Sequence, residues 1–268
     1  MQLGCNTVLF GLADRGAALQ HIAWAGYSGA ELAALPGMAD HVDPDRDAEQ
    51  ARDIMIHADG LGIDLVALEA GGNTERQQRC FDLARGLGIP TVCIGSGGKP
   101  DDPSSWREAV LRLRSMAKAA EVAGITLAVK PHVGAAIYST ETALRAIREI
   151  DSPDFGINWD PSHLFRNNED LLTSAQRLAP YIRHVHIRDC GSREQRVGPP
   201  ESQIPGRGSI DLPPILRALH EGGYDGYLNL EVIGAKNYDL SRAMGIAAES
   251  RGYLNRCLQA LEGAENAG

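Results

Sequence analysis

Four short stretches end in side chains that can do chemistry: AGITLAVKPHVG (123–134), NWDPSH (158–163), HVHIRD (184–189) and LNLEV (228–232). Each is an apolar, β-rich run finishing on a charged or imidazole group, namely Lys130 with His132, Asp160, His184 with His186, and Glu231. Alternate residues of a strand share a face, so Lys130 goes with His132, Asn158 with Asp160, His184 with His186 and Asn229 with Glu231. If these faces turn inward together, Asp160, His186 and Glu231 converge. Two carboxylates and an imidazole suit a single divalent cation (Mn, Mg, Co or Zn), with positions left open for substrate oxygens. Taken singly, each residue has a plainer reading, since HVH can be packing and Asp160 can cap a turn. Burying all three without a cation would be costly, and jointly they favour a metal.

The elements that would position these residues follow a repeated phrase, a helical pattern closed by glycine and then a short apolar strand. It occurs in AGYSGAEL (25–32), LGIDLVALEA (61–70), LGIPTVCIGSG (87–97), AGITLAVKPH (123–132) and GGYDGYLNLEV (222–232). Each glycine suits a left-handed helix cap. LGCNTVLF (3–10), FGINWD (155–160) and IRHVHI (182–187) complete eight candidate strands, with room for a helix between each pair. That rhythm predicts a single-domain parallel (β/α)8 TIM barrel over residues 1–262, with 263–268 a frayed tail. An open doubly wound sheet is the other arrangement compatible with it. WREAVLRLRSMAKAAEVAG should be an outer amphipathic helix, with Ala109, Leu113, Met116 and Ala120 on its core face. In such a barrel the C-terminal strand ends form the active-site mouth, where the polar residues above fall.

Composition narrows the class. The chain has 268 residues, 43% of them hydrophobic, and a formal net charge of −9. A sizeable core is possible, and an acidic chain without basic clusters is a poor nucleic-acid binder. The five cysteines form no CxxC pair and read as buried thiols of a reducing cytoplasm. No segment approaches a membrane span and no signal-peptide pattern opens the chain, so a soluble cytoplasmic protein is expected.

The ordered set GAEL, VKPHVG, NWDPSH, HVHIRD, PGRGSIDLPPIL and LNLEV resembles the xylose-isomerase-like TIM-barrel superfamily of sugar isomerases and epimerases, over nearly the whole chain. The resemblance implies a metal held by four residues on the fifth to eighth strands, usually Glu, Asp, His and Glu. Three match, as Asp160, His186 and Glu231. Lys130 stands where the family generally has glutamate. His163 matches a histidine that lies near substrate or metal in the family.

The expected activity is therefore that of a divalent-metal-dependent isomerase or epimerase of a small sugar or hydroxy-ketone, working through an enediolate. Glu231 would move the proton while Lys130 stabilises the developing oxyanion or serves as second acid/base. A lyase or decarboxylase of a keto-sugar acid is the alternative; an endonuclease-IV-type phosphodiesterase and a non-catalytic binding protein follow. His132, His163, Arg207 and Glu31 are expected to bind substrate, Arg207 as an anion contact within PGRGSID. Glu69, ending the third candidate strand, could contact substrate hydroxyls, but a structural hydrogen bond is the favoured reading. The loop-rich segment 188–211 reads as a lid. The expected partner is a small sugar or keto-acid, with a homo-oligomer compatible and with neither nucleic acid nor membrane.

Overall fold

The chain, seen here as a computed structural model described over residues 1–193 and 196–265, forms a closed barrel. Its strands are β1 (Gln2–Asn6), β2 (Gly29–Leu35), β3 (Ala39–Asp40), β4 (Asp64–Ala70), β5 (Thr91–Gly95), β6 (Thr126–Lys130), β7 (Phe155–Trp159), β8 (Ile182–Ile187) and β9 (Tyr227–Leu230). The order is β1-β9-β8-β7-β6-β5-β4-β2, and β1 also pairs in parallel with β2. Eight parallel strands thus close on themselves, and β3 is a short antiparallel addition to β2. The α-helices are α1 (Arg15–Trp24), α2 (Ala51–Gly60), α3 (Thr74–Gly86), α4 (Pro103–Ala123), α5 (Thr140–Ile150), α6 (Pro161–Arg166), α7 (Leu171–Leu178), α8 (Leu212–Glu221) and α9 (Leu240–Glu265). The result is a single (β/α)8 barrel.

The α4–β6 unit shows how sequence sets this geometry. The Asp102 carboxylate accepts from the Ser104 amide to start α4, and Pro103 occupies a first-turn position that needs no amide proton. The face carrying Trp106, Ala109, Leu113, Met116 and Ala120 is buried, as the spacing predicts. Gly124 then takes the left-handed conformation at φ 69°, and Ile125 leads into β6 with Lys130 at its end.

Some expectations shift. The first strand stops at Asn6, because the Asn6 side chain accepts from the Val8 amide and turns Thr7–Phe10 into a 3-10 helix. At the other end α9 runs on to Glu265, and residues 266–268 of the expected tail lie outside the described residues. The larger core lies between barrel and helices, while small residues, Ala67, Cys93 and Ala128, pack as a separate cluster. A Cβ at Gly4 would lie 2.1 Å from Asn229 Oδ1, so glycine there leaves room for a polar side chain. All five cysteines are buried and unpaired. Among the described residues no helix is long and apolar enough to cross a membrane.

Candidate active site

The C-terminal strand ends gather a set of buried ion pairs centred on Lys130. Its Nζ lies 2.6 Å from Glu231 Oε1 and 3.1 Å from Glu69 Oε1. Glu69, at the end of β4, also accepts a 2.8 Å hydrogen bond from Asn6 Nδ2 at the end of β1. Arg188, just past β8, places Nη2 3.1 Å from Asp160 Oδ2 and Nη1 2.9 Å from Glu231 Oε2. The second contact is an ion pair without hydrogen-bond alignment, since Glu231 Oε2 has no hydrogen-bond partner in the chain. The same guanidinium donates to Ser162 Oγ at 2.8 Å and to His163 Nε2 at 2.8 Å.

Local structure accounts for these positions. Asp160 is the N-cap of α6, its Oδ1 accepting from the Ser162 amide and hydroxyl at 2.9 and 2.7 Å. The capping reading of DPSH is thus satisfied through one oxygen, and Arg188 takes the other. His163 follows on α6 and stacks on His132, with ring centroids 4.0 Å apart. Beneath the rim, His186 Nε2 lies 2.6 Å from Glu31 Oε2, its Nδ1 lies 3.3 Å from Glu231, and His184 Nε2 lies 3.2 Å from Glu31.

The surroundings split the carboxylates. Burial pushes Glu69 up to about 7, with Glu231 and Glu31 adding to the rise and Lys130 opposing it. Burial also works against ionisation of Glu231, yet Lys130, Arg188 and His186 hold it well below the usual carboxylate range. Lys130 is disfavoured as a cation by burial, but the carboxylates of Glu231 and Glu69 more than offset this and raise its pKa. His186 is raised to about 10, because the charge of Glu31 outweighs burial, whereas burial drives His163 well below 6.5. A neutral His163 is consistent with its accepting from Arg188. The arrangement offers one ionised carboxylate, one carboxyl poised near neutrality, and an ammonium between them.

Among the described residues, Glu69, His186 and Glu231 form a possible metal-binding cluster, with ligand atoms all within 4.8 Å of one another. A second such group, Glu31, Cys93, His184 and His186, is wholly buried. Asp160, expected as a ligand beside His186 and Glu231, belongs to neither group. At the rim the donors do not fit a divalent ion as they stand, because Lys130 already contacts both Glu69 and Glu231. A dication within about 4 Å of that ammonium would meet repulsion on the order of 8 kcal/mol at an effective dielectric constant of about 20.

Other expected residues sit differently. Glu31 is fully buried below His186 and is not at the mouth where substrate would enter. Arg207, expected as an anion contact, pairs with Glu249 on α9, its Nε and Nη2 each 2.6 Å from that carboxylate. His132 is exposed at the rim with Nδ1 2.7 Å from the Val133 carbonyl. Arg188, one residue past β8, continues the alternation of His184 and His186 onto the same face. A cavity of about 500 Å³ opens at the opposite end of the barrel, where strands begin, and is lined by Asp64, Thr91, His184, Tyr224 and Tyr227.

A family model for the xylose isomerase-like TIM barrel matches residues 19–257. The inosose dehydratase of Lacticaseibacillus casei is 26% identical over 140 residues, 47% of this chain and 46% of that protein. The chain thus spans about half the length of the curated relatives it matches. Among solved structures, a D-tagatose 3-epimerase-like protein superposes with TM-score 0.80 at 19% identity, covering 100% of both chains. An L-ribulose 3-epimerase superposes with TM-score 0.78 at 20% identity, covering 99% of this chain and 97% of that one.

Proposed function

The chain belongs to the xylose isomerase-like TIM barrel family, and from that premise we propose that it is an enzyme that moves a proton beside the carbonyl of a small sugar or hydroxy-ketone, as an isomerase or epimerase. The observation that carries this reading is the Glu69–Lys130–Glu231 array, with one carboxylate on each side of an ammonium. Glu231, held ionised, takes the proton from the carbon next to the carbonyl. Lys130 donates a hydrogen bond to the oxygen on which negative charge then develops. Glu69, half protonated near neutral pH, returns a proton to complete isomerisation or epimerisation. Its position on β4 makes up for the glutamate absent at position 130. His132 borders the same rim, exposed, and presents its imidazole to substrate hydroxyls, while the buried His163 beside it is held by Arg188 and the Val133 amide.

The mechanism assigns no step to the divalent ion expected from the sequence, because Lys130 engages the carboxylates that would hold it. A second reading, a lyase that eliminates water after the same proton abstraction, is favoured by the inosose dehydratase relatives.

The test is incubation in D2O with a panel of ketoses, keto-polyols and inososes, followed by mass spectrometry. Exchange of one carbon-bound proton with conservation of mass otherwise supports the isomerase or epimerase. Loss of water identifies the lyase. Glu231→Gln should lower the rate by ~10²–10⁴ while the protein stays folded. No exchange or elimination with any of these substrates would count against enzymatic proton transfer here.

A further inference from the structure

We infer that Lys130 and Arg188 together take the place of a divalent cation, so that this barrel polarises its substrate's carbonyl without a metal. The catalytic part of the inference rests on the proton-transfer reading above; the metal-replacement part stands on the ion pairs alone. A metal at this rim would need the oxygens of Glu231, together with those of Glu69 beside His186 or of the expected ligand Asp160. These carboxylates are already matched by fixed positive charge: Arg188 bridges Asp160 Oδ2 and Glu231 Oε2, and Lys130 reaches Glu231 Oε1. The remaining Asp160 oxygen caps α6. Lys130 also contacts Glu69 Oε1, the further carboxylate at the rim. Three rim carboxylates, Glu69, Asp160 and Glu231, thus face two side-chain cations, and beneath them His186 lies against Glu31.

The two cations do different work. The guanidinium of Arg188 is consumed by Ser162, His163, Asp160 and Glu231, so it is a positioning residue that holds the carboxylates apart and oriented. An ammonium has three protons. Lys130 gives two to Glu69 and Glu231, and the third remains for a substrate oxygen. That third donor is the counterpart of the open coordination position on a metal.

The test uses Mn²⁺, a hard ion suited to carboxylate oxygens and poorly suited to the cysteine-containing group deeper in the barrel. Calorimetric and electron paramagnetic resonance titration of the full chain should show no stoichiometric Mn²⁺ uptake by the parent protein, and any proton-transfer activity should survive exhaustive EDTA treatment. Lys130→Glu removes a like charge and adds a ligand, so it should gain Mn²⁺ affinity by ~100-fold or more. Lys130→Met leaves Glu69, His186 and Glu231 unoccupied by the ammonium and should also take up Mn²⁺, which keeps the test valid if the glutamate variant does not fold. One Mn²⁺ bound tightly by the parent, or activity lost to EDTA and restored by Mn²⁺, would overturn the inference. So would a folded Lys130→Glu or Lys130→Met protein that takes up none. These results are independent of the proton-transfer assay: an inactive parent that binds no Mn²⁺ sinks the proposed reaction and leaves the metal replacement standing.

Discussion

Glu69 is the residue whose chemistry depends most on neighbours remote in sequence. A lone glutamate at a strand end carries no signal of its own beyond a structural hydrogen bond, and its meeting with Lys130 spans 61 residues. Arg188 was more legible, since residues 184, 186 and 188 alternate onto one face, but a charged residue beyond a strand end reads equally well as solvated. Asp160, His186 and Glu231 were legible by type and position; what the sequence lacked was which of them an internal cation would claim. The raised pKa of Glu69 also has a stability consequence. The folded state keeps a proton on Glu69 up to about pH 7, whereas the unfolded chain releases it near the ordinary value of 4.5. Stability from this group is therefore fully present below the unfolded pKa and is lost as pH rises through 7. Glu69→Gln should remove that dependence, relieving up to about 3 kcal/mol of it. Thermal unfolding of both proteins from pH 4 to 9 checks this, and parallel curves would show that Glu69 is ionised throughout.

At the scale of elements, the strand-and-glycine phrase translated directly into β/α units, because a left-handed cap and an apolar run are local requirements. The segment 188–211 was harder, since its order depends on distant partners. Asp189 gathers it, with its carboxylate accepting from the amides of Cys190, Gly206 and Ile210 at 2.8, 2.9 and 3.1 Å. A Cβ on Gly208 would lie 2.1 Å from Asp189 Oδ1, which accounts for glycine at that point of PGRGSID. Gln203 fixes the segment to the strand that delivers Glu231: its Nε2 donates to the Ile233 carbonyl at 2.8 Å and its Oε1 accepts from the Ile233 amide at 3.0 Å. The motif thus organises a wall beside the site, and its arginine serves α9. Gln203→Ala should cost about 1–2 kcal/mol, because it removes both hydrogen bonds to the partly buried Ile233 backbone. Urea unfolding measures that loss, and limited proteolysis should cut within the segment faster than in the parent. An unchanged cleavage rate would mean that Asp189 alone holds it.

Across the whole molecule, the convergent ion pairs and the cavity lined by Tyr224 and Tyr227 lie at opposite ends of the barrel. The C-terminal end holds Lys130, Glu69, Arg188 and Glu231 in close contact, and the side chain of Glu69 is the most exposed of the four at 13%. The N-terminal end carries the 500 Å³ cavity, where Tyr227 Oη donates to Asp64 Oδ2 at 2.7 Å and Tyr224 Oη to the Tyr227 carbonyl at 2.7 Å. A cavity is the ordinary starting point for locating a ligand, but this one lacks the convergent ion pairs that move protons. In this architecture chemistry belongs to the C-terminal face and stability to the other. The two ends should therefore separate in paired measurements. Tyr227→Phe loses one partly exposed hydrogen bond and should cost no more than about 1 kcal/mol, with kcat/KM unchanged. Arg188→Lys keeps a positive charge but not the fork that spans Asp160, His163 and Glu231, so kcat/KM should fall at least tenfold, by about 1.4 kcal/mol or more in transition-state stabilisation. Its pH–rate profile should shift as well, since a single ammonium cannot span Asp160 and Glu231 as the guanidinium does, and the hold that keeps Glu231 ionised weakens. If Tyr227→Phe impairs turnover while Arg188→Lys does not, the working mouth of this barrel is the N-terminal one.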